Sequence, residues 1–332
     1  MFRFVAFAGK GGVGKTTLSA AYALERSRRG DKVLVVSLDP AHNLGDVFER
    51  KLSEEPTPIE TNLYAIEVDY DAMLRRSLKK LSEKIKDMYG YLRVFNLDKY
   101  IDVLQHSPGI EEHAVLETML DVIRRNEAEW GFNIVVFDTP PTGLTLRIMA
   151  LPSLSLLWVE KLMELRLAIL ARRRAVERVL GTKPRVSLGG REVSLATEPR
   201  GDPVYAELLK IREEYSFVDR LLKDPQRFSV VMVVNPEALP VLEASRAAGF
   251  LSKLGIRIGA VIVNKVLKLP QEDASRRLYE QKRALELLHK FFDRYPIVEV
   301  PYLDEEPRGL DRLVKLSRFL EEITEGCTLW SS

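Results

Sequence analysis

The sequence contains very little cysteine or histidine. Cys327 is the only cysteine among 332 residues, which excludes a disulfide within the chain and a zinc site built from two or four cysteines. The four histidines show no ligand spacing relative to one another, so we predict that the protein holds no structural zinc. These histidines are His42, His106, His113 and His289.

The sequence also lacks a long hydrophobic run and an excess of one charge. The run 151–159 comes nearest to a membrane span, but charged residues from Glu160 onward interrupt it far short of the roughly 20 residues that a membrane helix needs. The 50 Lys and Arg residues nearly balance the 48 Asp and Glu residues, which gives no electrostatic argument for a nucleic-acid partner. A strand-like run begins at once and leaves no room for a signal peptide. We therefore expect a cytoplasmic protein without nucleic-acid partners.

What the sequence does contain is a series of short runs rich in valine and isoleucine. Each run ends in polar or turn-forming residues, and helical stretches separate the runs. Near-continuous apolar runs are typical of strands covered on both faces, so we predict an α/β fold with a doubly wound, mainly parallel sheet. The strong strand predictions are 4–8, 33–38, 134–137, 230–234, 258–263 and 297–300, and the alternating run 63–68 is a weaker one.

A glycine-rich segment follows the first predicted strand. Gly9, Gly14, Lys15 and Thr16 fit the phosphate-loop pattern G-x-x-x-x-G-K-[ST]. Glycines let backbone N–H groups wrap a phosphate, and the following helix points its positive end at the same place. Lys15 supplies a cation for the terminal phosphates, and the Thr16 hydroxyl suits Mg²⁺. We predict nucleotide contacts from Gly9, Lys10, Gly11, Gly12, Val13, Gly14, Lys15, Thr16 and Thr17.

Lys10 is a second lysine in this loop, and a phosphate can be held within one subunit without it. One interpretation is a solvated surface lysine. The other is a lysine that crosses a dimer interface to the partner's nucleotide, as in deviant phosphate loops written K-G-G-x-G-K-[ST]. Because Gly11 and Gly12 follow Lys10, we favour the second interpretation.

Polar residues follow four other predicted strands. Asp39 can position an attacking water or accept its proton, although helix capping is an alternative role. Asp138 follows four apolar residues, which is the Walker B pattern of a carboxylate that holds Mg²⁺ directly or through water. Asn235 and Asn264 end two further strands; an amide can pair with an adenine edge, and the alternative is a turn-forming asparagine. In a parallel sheet these strand ends meet at one edge, where ligands bind.

Two long helical segments interrupt the strand pattern. We predict an ATPase domain from 1–70, 131–151 and 229–325, and a helical subdomain from 71–130 and 152–228. Within the second segment, 186–195 reads as a hairpin around two glycines. The apolar stripes of both segments suit ordinary core packing, and the alternative is a surface that receives a hydrophobic partner.

Together these residues resemble the family of arsenite-pump ATPases (ArsA) and of the cytosolic ATPases that target tail-anchored membrane proteins. The match is closest to the targeting type that lacks the zinc-binding Cys-x-x-Cys, and it runs from Phe4 to about Leu320. The motifs that carry it, in the family's order, are 9–16, 39–44, 107–112, 138–143 with 145–147, and 305–309.

The resemblance implies a P-loop NTPase of the SIMIBI class with an inserted helical subdomain. It implies a homodimeric, Mg²⁺-dependent ATPase whose ATP cycle opens and closes a hydrophobic groove, with tail-anchored clients and a membrane receptor as partners. The implied catalytic residues are Asp39, which activates water, together with Lys10 and Lys15. The other implied contacts are Asn43 in the first switch, Thr16 and Asp138 at Mg²⁺, Glu237 as an acidic nucleotide-site residue, Asn264 at adenine and Pro301 at the start of the loop flanking the base.

The sequence departs from this family at several positions. The absence of Cys-x-x-Cys removes the intersubunit zinc clamp and the thiolate ligands for arsenite. The second switch has Pro140 and Leu144 where relatives often have Ala and His, and Met163 is the only methionine in 152–228. An arsenite-pump ATPase, a partition-type or septum-placement regulator, and a nucleotide-stabilised holdase stay open as alternatives.

Overall fold

We describe the fold from a computed structural model, in which residues 2–40, 44–88, 107, 109–188, 191–268, 276–324 and 328–330 are described. The strands are β1 (Arg3–Gly9), β2 (Val33–Ser37), β3 (Thr57–Glu60), β4 (Leu63–Glu67), β5 (Ile134–Asp138), β6 (Arg185–Leu188), β7 (Arg191–Ser194), β8 (Phe228–Val234), β9 (Ile258–Val266) and β10 (Ile297–Pro301). The α-helices are α1 (Lys15–Arg28), α2 (Leu44–Phe48), α3 (Tyr70–Met88), α4 (Ile110–Arg125), α5 (Thr142–Leu180), α6 (Pro203–Lys223), α7 (Ala238–Leu254), α8 (Arg276–Phe292), α9 (Leu310–Ser317) and α10 (Glu321–Thr324).

Eight strands form one sheet in the order β10-β9-β8-β1-β5-β2-β4-β3. Every neighbouring pair is parallel except β3 and β4, which are antiparallel. The predicted mainly parallel sheet is therefore confirmed, and all seven predicted strands are present with ends shifted by up to three residues. The sequence analysis missed β3, a short edge strand that contains Pro58 and has only one buried residue.

The central strands are buried along their whole length, as strands covered on both faces should be. All five residues of β2 and of β5 are buried, as are all seven of β8. The core on one side of the sheet also includes much of α1, where small alanines let the helix lie close to the strands. This arrangement fixes β1 and the segment that follows it in the middle of the sheet.

The chain divides into two compact units. The first consists of Met1–Asp71, Thr118–Met149 and Leu221–Ser332, and contains the large sheet. The second consists of Ala72–Glu117 and Ala150–Arg220. Residues 118–130 and 221–228, which the sequence analysis assigned to the helical subdomain, thus lie in the first unit.

The second unit has its own small core and a buried ion pair. Val159 and Met163 of α5 pack with Val204 and Leu208 of α6. Asp202 is 1% exposed and forms two hydrogen bonds with the Arg166 guanidinium, at 2.9 and 2.6 Å, and it accepts a third from the backbone N–H of Tyr205. These bonds fix the start of α6. The predicted hairpin is confirmed as the antiparallel pair β6–β7.

Helix α5 differs from the sequence-based expectation in length. The apolar run was expected to fall far short of a membrane span, but the helix begins at Thr142 and continues for 39 residues, with Pro152 inside it. Among the described residues it is the one helix whose length and composition also suit a membrane crossing, a test that helices of soluble proteins also pass. Only 33% of its most apolar window is buried.

Candidate functional site

The predicted phosphate loop joins the end of β1 to the start of α1. Gly12 and Gly14 have φ values of 79° and 96°, in the left-handed region that favours glycine. A Cβ at Gly14 would collide with the amide nitrogen of Asn264, and one at Gly9 would lie 2.5 Å from the Val233 carbonyl oxygen. Gly14 therefore needs glycine both for its backbone conformation and for close approach, whereas Gly12 needs it for conformation and Gly9 for close approach. The loop ends at the N-terminus of α1, where N–H groups have no partner within the helix.

Lys15 is the buried cation of this loop. Its side chain is 5% exposed, and its Nζ donates to the Lys10 carbonyl oxygen at 3.5 Å and lies 4.0 Å from Oδ2 of Asp39. Asp39 follows β2, two strands away from β1 in the sheet. The fold thus brings together the lysine and the carboxylate that the sequence placed 24 residues apart.

Asp138 ends β5, which lies between β1 and β2, and pairs in register with Phe7 and Ser37. Its side chain is fully buried, and neither carboxylate oxygen forms a hydrogen bond of ordinary geometry within the described part of the chain. Burial raises the pKa of Asp138 to about 7, although the nearby Thr16 hydroxyl and the Lys15 charge act to lower it. A buried carboxylate whose oxygens form no hydrogen bond of ordinary geometry can accept a ligand.

These residues fit a Mg²⁺ ion. The unpartnered oxygens of Asp138 and the hydroxyl of Thr16 are hard oxygen ligands, which Mg²⁺ prefers. Within the described ranges, no three acidic, histidine or cysteine side chains gather to form a metal cluster. Two protein oxygen ligands suit an ion that substrate phosphates and water also coordinate.

A cavity of about 690 Å³ opens over the phosphate loop. Its lining includes Asp39 and Lys15, and also the loop that follows β10. The predicted site residues that line it are Gly11, Gly12, Gly14, Lys15, Thr16, Thr17, Asp39, Asn264 and Pro301. Most of the predicted site is therefore gathered around one cavity within the first unit.

Five predicted residues do not line this cavity: Asp138, described above, and Gly9, Lys10, Val13 and Glu237. Lys10 lines a small pocket with Gly9 and Val13, and its Nζ lies 3.4 Å from Oε1 of Glu243. Glu237 lines a neighbouring cavity of about 760 Å³, which shares Lys265 and Tyr302 with the first. Asn43 lies outside the described residues.

Several residues of the site were not predicted from the sequence. Lys265 lines the cavity over the phosphate loop, and its Nζ donates to the Gly12 carbonyl oxygen at 3.0 Å. Asp46, Tyr302 and Arg308 also line it. The position of Lys265 next to Asn264 and the motif 305–309 were the available signals, but neither indicates a contact with the phosphate loop.

Helix α2, the next helix after Asp39 in the sequence, is held in place by another residue that was not predicted. The backbone N–H groups of Leu44 and Gly45 donate to Oε1 of Glu67 at 3.0 and 3.2 Å, at the start of α2. The N–H of Gly309 donates to the Val47 carbonyl oxygen at 2.9 Å near the end of α2. Helix α2 is therefore fixed at both ends.

Comparison with known proteins identifies the family of this chain. A family model described as anion-transporting ATPase matches residues 2–322. The chain belongs to the ArsA family of ATPases. The resemblance predicted from the motifs is confirmed, and the protein is an ATPase of this family, with a nucleotide as its substrate.

Relatives of this ArsA-family ATPase match it over most of its length. A candidate "arsenical pump-driving ATPase 1" of Aquifex aeolicus is 31% identical, over 96% of this chain and 78% of that protein. The "ATPase GET3" of Mycosarcoma maydis is 30% identical, over 94% of this chain and 88% of that protein. The "ATPase ASNA1 homolog" of Dictyostelium discoideum is 29% identical, over 96% of this chain and 89% of that protein.

Proposed function

We propose that this ArsA-family ATPase is a cytoplasmic, Mg²⁺-dependent homodimer that binds the apolar membrane segments of tail-anchored proteins and delivers them to a membrane receptor. The ATPase activity follows from membership of the ArsA family. The observation that carries the client-binding part is an exposed apolar face on α5, within the second unit. The predicted domain division, with an ATPase domain and a helical client-binding subdomain, is part of this proposal.

At the proposed reaction centre, Lys15, Thr16 and Asp39 line the cavity above the phosphate loop, and Asp138 ends the neighbouring strand β5. The N–H groups of the loop and the Lys15 cation would bind the phosphates, because both bring positive charge to one place. Asp39, near Lys15, would orient the attacking water and accept its proton. Thr16 and Asp138 would hold Mg²⁺, which neutralises charge on the phosphates. At the base end, Asn264 and Pro301 would contact adenine and Glu237 would lie nearby, while Asn43 would belong to the first switch with Asp39.

Lys10 supports the homodimer. Its side chain is 56% exposed, and within its own chain it approaches the carboxylate of Glu243 rather than the cavity. An exposed ion pair of this kind holds a lysine weakly, at about 0–1 kcal/mol. Lys10 is therefore free to exchange Glu243 for a phosphate of a second copy at little cost. In that arrangement each copy completes its partner's reaction centre.

Helix α5 has two apolar faces with opposite environments. Val159, Met163 and Leu170 are buried within the second unit. On the other side, at helical spacing, a row of large apolar side chains is 46–70% exposed. This exposed face consists of Leu154, Leu157, Trp158, Leu162 and Leu165. Lys161 lies within it and is paired with Glu164 at 2.9 Å, so the charge is partly neutralised.

The length of the exposed face fits an apolar helix as its occupant. From Leu154 to Leu165 the face extends about 17 Å at 1.5 Å per residue. The hydrocarbon part of a membrane segment is about 30 Å long, so two such faces, one from each copy, approximately match it. Covering these side chains contributes roughly 25 cal/mol per Å² of apolar surface. A single copy would leave about half of the client exposed, which connects client binding to the dimer.

Co-expression with a tail-anchored protein tests this function. We expect to recover a soluble complex of the wild-type chain with the client. Whether the chain retains or releases the client should depend on the bound nucleotide. Leu157→Glu should remove most of the complex, because it places a charge on the exposed face. Leu167→Glu is the matched control, since Leu167 is 40% exposed but lies on the other side of the helix.

The outcomes separate client binding from ATP hydrolysis. Equal recovery with Leu157→Glu and Leu167→Glu would show that the exposed face is not the binding site. Absence of a complex with several unrelated clients would remove the targeting role and leave the ATPase assignment unaffected. Stimulation of ATP hydrolysis by DNA or by arsenite, in place of a client complex, would favour the partition-type or arsenite-pump alternative.

A further inference from the structure

Lys265 has an unusual backbone conformation at the edge of the site. Its φ is 62°, in the left-handed region that residues other than glycine seldom adopt. The pairing of β9 with β10 changes register here, since Val263 pairs with Glu299 and Val266 with Pro301. Two residues of β9 therefore lie opposite one residue of β10. This is a β-bulge, a feature that redirects side chains and occurs often beside active sites.

The two bulge residues contact two consecutive peptide groups of the phosphate loop. Nδ2 of Asn264 donates to the Val13 carbonyl oxygen at 2.7 Å, and Nζ of Lys265 donates to the Gly12 carbonyl oxygen at 3.0 Å. In a trans peptide the N–H points away from its C=O. Holding these two carbonyl groups therefore also fixes the N–H of Val13, which donates to the Lys10 carbonyl oxygen at 3.5 Å, and the N–H of Gly14, both within the predicted phosphate loop.

The residues around Lys265 maintain its conformation. The N–H of Tyr302 donates to the Val266 carbonyl oxygen at 2.8 Å. The Gln281 amide forms two hydrogen bonds with the backbone of Leu267, at 2.8 and 3.0 Å. Backbone strain persists where the surrounding structure over-determines it, and such positions cluster at functional sites. The strain at Lys265 is thus built into the fold.

We propose that Lys265 is a positioning residue of the nucleotide site. Its ammonium group holds the Gly12 carbonyl so that the phosphate loop presents its N–H groups before the nucleotide arrives. This inference rests on the nucleotide site proposed above. A preformed loop lowers the ordering cost of binding and leaves the chemical step unchanged. Losing Lys265 should therefore raise KM for ATP and change kcat little.

Steady-state kinetics of Lys265→Met test this role. We expect KM for ATP to rise about 3- to 10-fold, as for the loss of one charge-assisted hydrogen bond, while kcat stays within about 2-fold. Lys265→Arg should recover most of the wild-type KM, because it retains a charged donor. Lys268→Met is the matched control: Lys268 is exposed, lies three residues away and lines neither cavity.

A second pair of variants separates the side chain from the backbone. Lys265→Ala and Lys265→Gly both remove the ammonium group, but glycine accepts a positive φ without strain. Both should show the same rise in KM, while the Gly variant melts at a higher temperature than the Ala variant. If Lys265→Gly kept the wild-type KM for ATP, the positive-φ backbone conformation at this position, and not the ammonium group, would determine how well ATP binds.

Lys15→Ala, assayed for ATP binding alongside, distinguishes failure of this inference from failure of the site. If Lys15→Ala bound ATP as the wild type does, the proposed nucleotide site and the role of Lys265 would both be wrong. If Lys15→Ala lost ATP binding while Lys265→Met kept the wild-type KM, only the positioning role would be overturned. An equal rise in KM in Lys265→Arg and Lys265→Met would also overturn it.

Discussion

The two units of this protein differ in how far their apolar side chains are buried. In the first unit the central strands are fully buried, and the groups left for chemistry are polar side chains at strand ends, such as Asp39 and Asp138. In the second unit α5 leaves Trp158 and Leu165 at 70% and 58% exposed. One unit therefore uses burial to hold a polar site in fixed geometry. The other keeps apolar surface available for a partner.

This difference in burial affects how much the apolar side chains contribute to folding stability. Fully burying a leucine-sized side chain contributes about 1.5–3 kcal/mol to stability. The exposed face of α5 contributes little of that to folding, so its apolar surface remains available for binding. We therefore expect substitutions at the polar strand ends to change activity strongly, and substitutions on the exposed face of α5 to change client binding but not folding.

The largest expected effect is at Asp39. Asp39→Asn should bind ATP with nearly wild-type affinity but lower kcat by at least about 100-fold, because an amide cannot accept the proton of the attacking water. Single-turnover hydrolysis and ATP binding are the measurements. Asp46→Asn is the control, since Asp46 lines the same cavity. Near-normal turnover in Asp39→Asn would remove Asp39 from the proposed chemistry.

Asp138 gives the next largest effect, on stability. Its pKa is raised from 3.8 to about 7 by burial, so between these pH values the folded state binds a proton that the unfolded state has released. The free energy of unfolding therefore falls as pH rises through this range, by roughly 4 kcal/mol at most. Asp138→Asn should melt above the wild type at pH 8 without nucleotide, with the difference shrinking at pH 5, and should lose hydrolysis.

The control for this pH dependence is an exposed carboxylate in the same unit. Asp293→Asn should change stability by no more than about 0.5 kcal/mol at either pH. If Asp138→Asn and the wild type melted at the same temperature at pH 8, the buried carboxylate would have a partner, and the argument for an open cation ligand would fail. Added Mg²⁺ with nucleotide should stabilise the wild type and not Asp138→Asn.

The sequence predicted the parts of this structure that depend on local patterns. The phosphate loop, the buried strands and the β6–β7 hairpin each follow from spacing within a few residues. The start of α5 at Thr142 was missed because a proline in the pattern normally marks a helix boundary, whereas Pro152 lies inside this helix. A proline inside a helix removes one backbone donor and crowds the carbonyl of the residue four before it, yet this helix continues through Pro152.

The missed site residues depend on pairing between distant segments. Lys265 contacts Gly12 because a bulge forms against β10, and Glu67 holds α2 across 23 residues of sequence. A single sequence shows neither the register of two strands nor the direction of a side chain at a strained residue. The sequence therefore predicted which residues form the phosphate loop, but not which residues hold that loop in shape.

A smaller effect on activity is expected at Lys10. Lys10→Ala should abolish ATP-dependent self-association and lower turnover at least about tenfold, because it removes a cation from the partner's reaction centre. Folding should be unaffected, since the Lys10–Glu243 pair is half-exposed. Sedimentation with a non-hydrolysable ATP analogue measures the first effect, and Lys268→Ala is the control. Unchanged association and turnover would leave a single-subunit ATPase.

The smallest expected effect is on the exposed face of α5, where a lack of change is informative. Leu165→Ala should alter the free energy of unfolding by no more than about 0.5 kcal/mol, because Leu165 is 58% exposed. Leu170→Ala, on the same helix but only 1% exposed, should cost about 2–5 kcal/mol. Alanine is the best helix former, so helix propensity does not confound the pair. If the two variants were equally destabilised in chemical denaturation, Leu165 would be covered within the folded chain, and the face could not be free for a client.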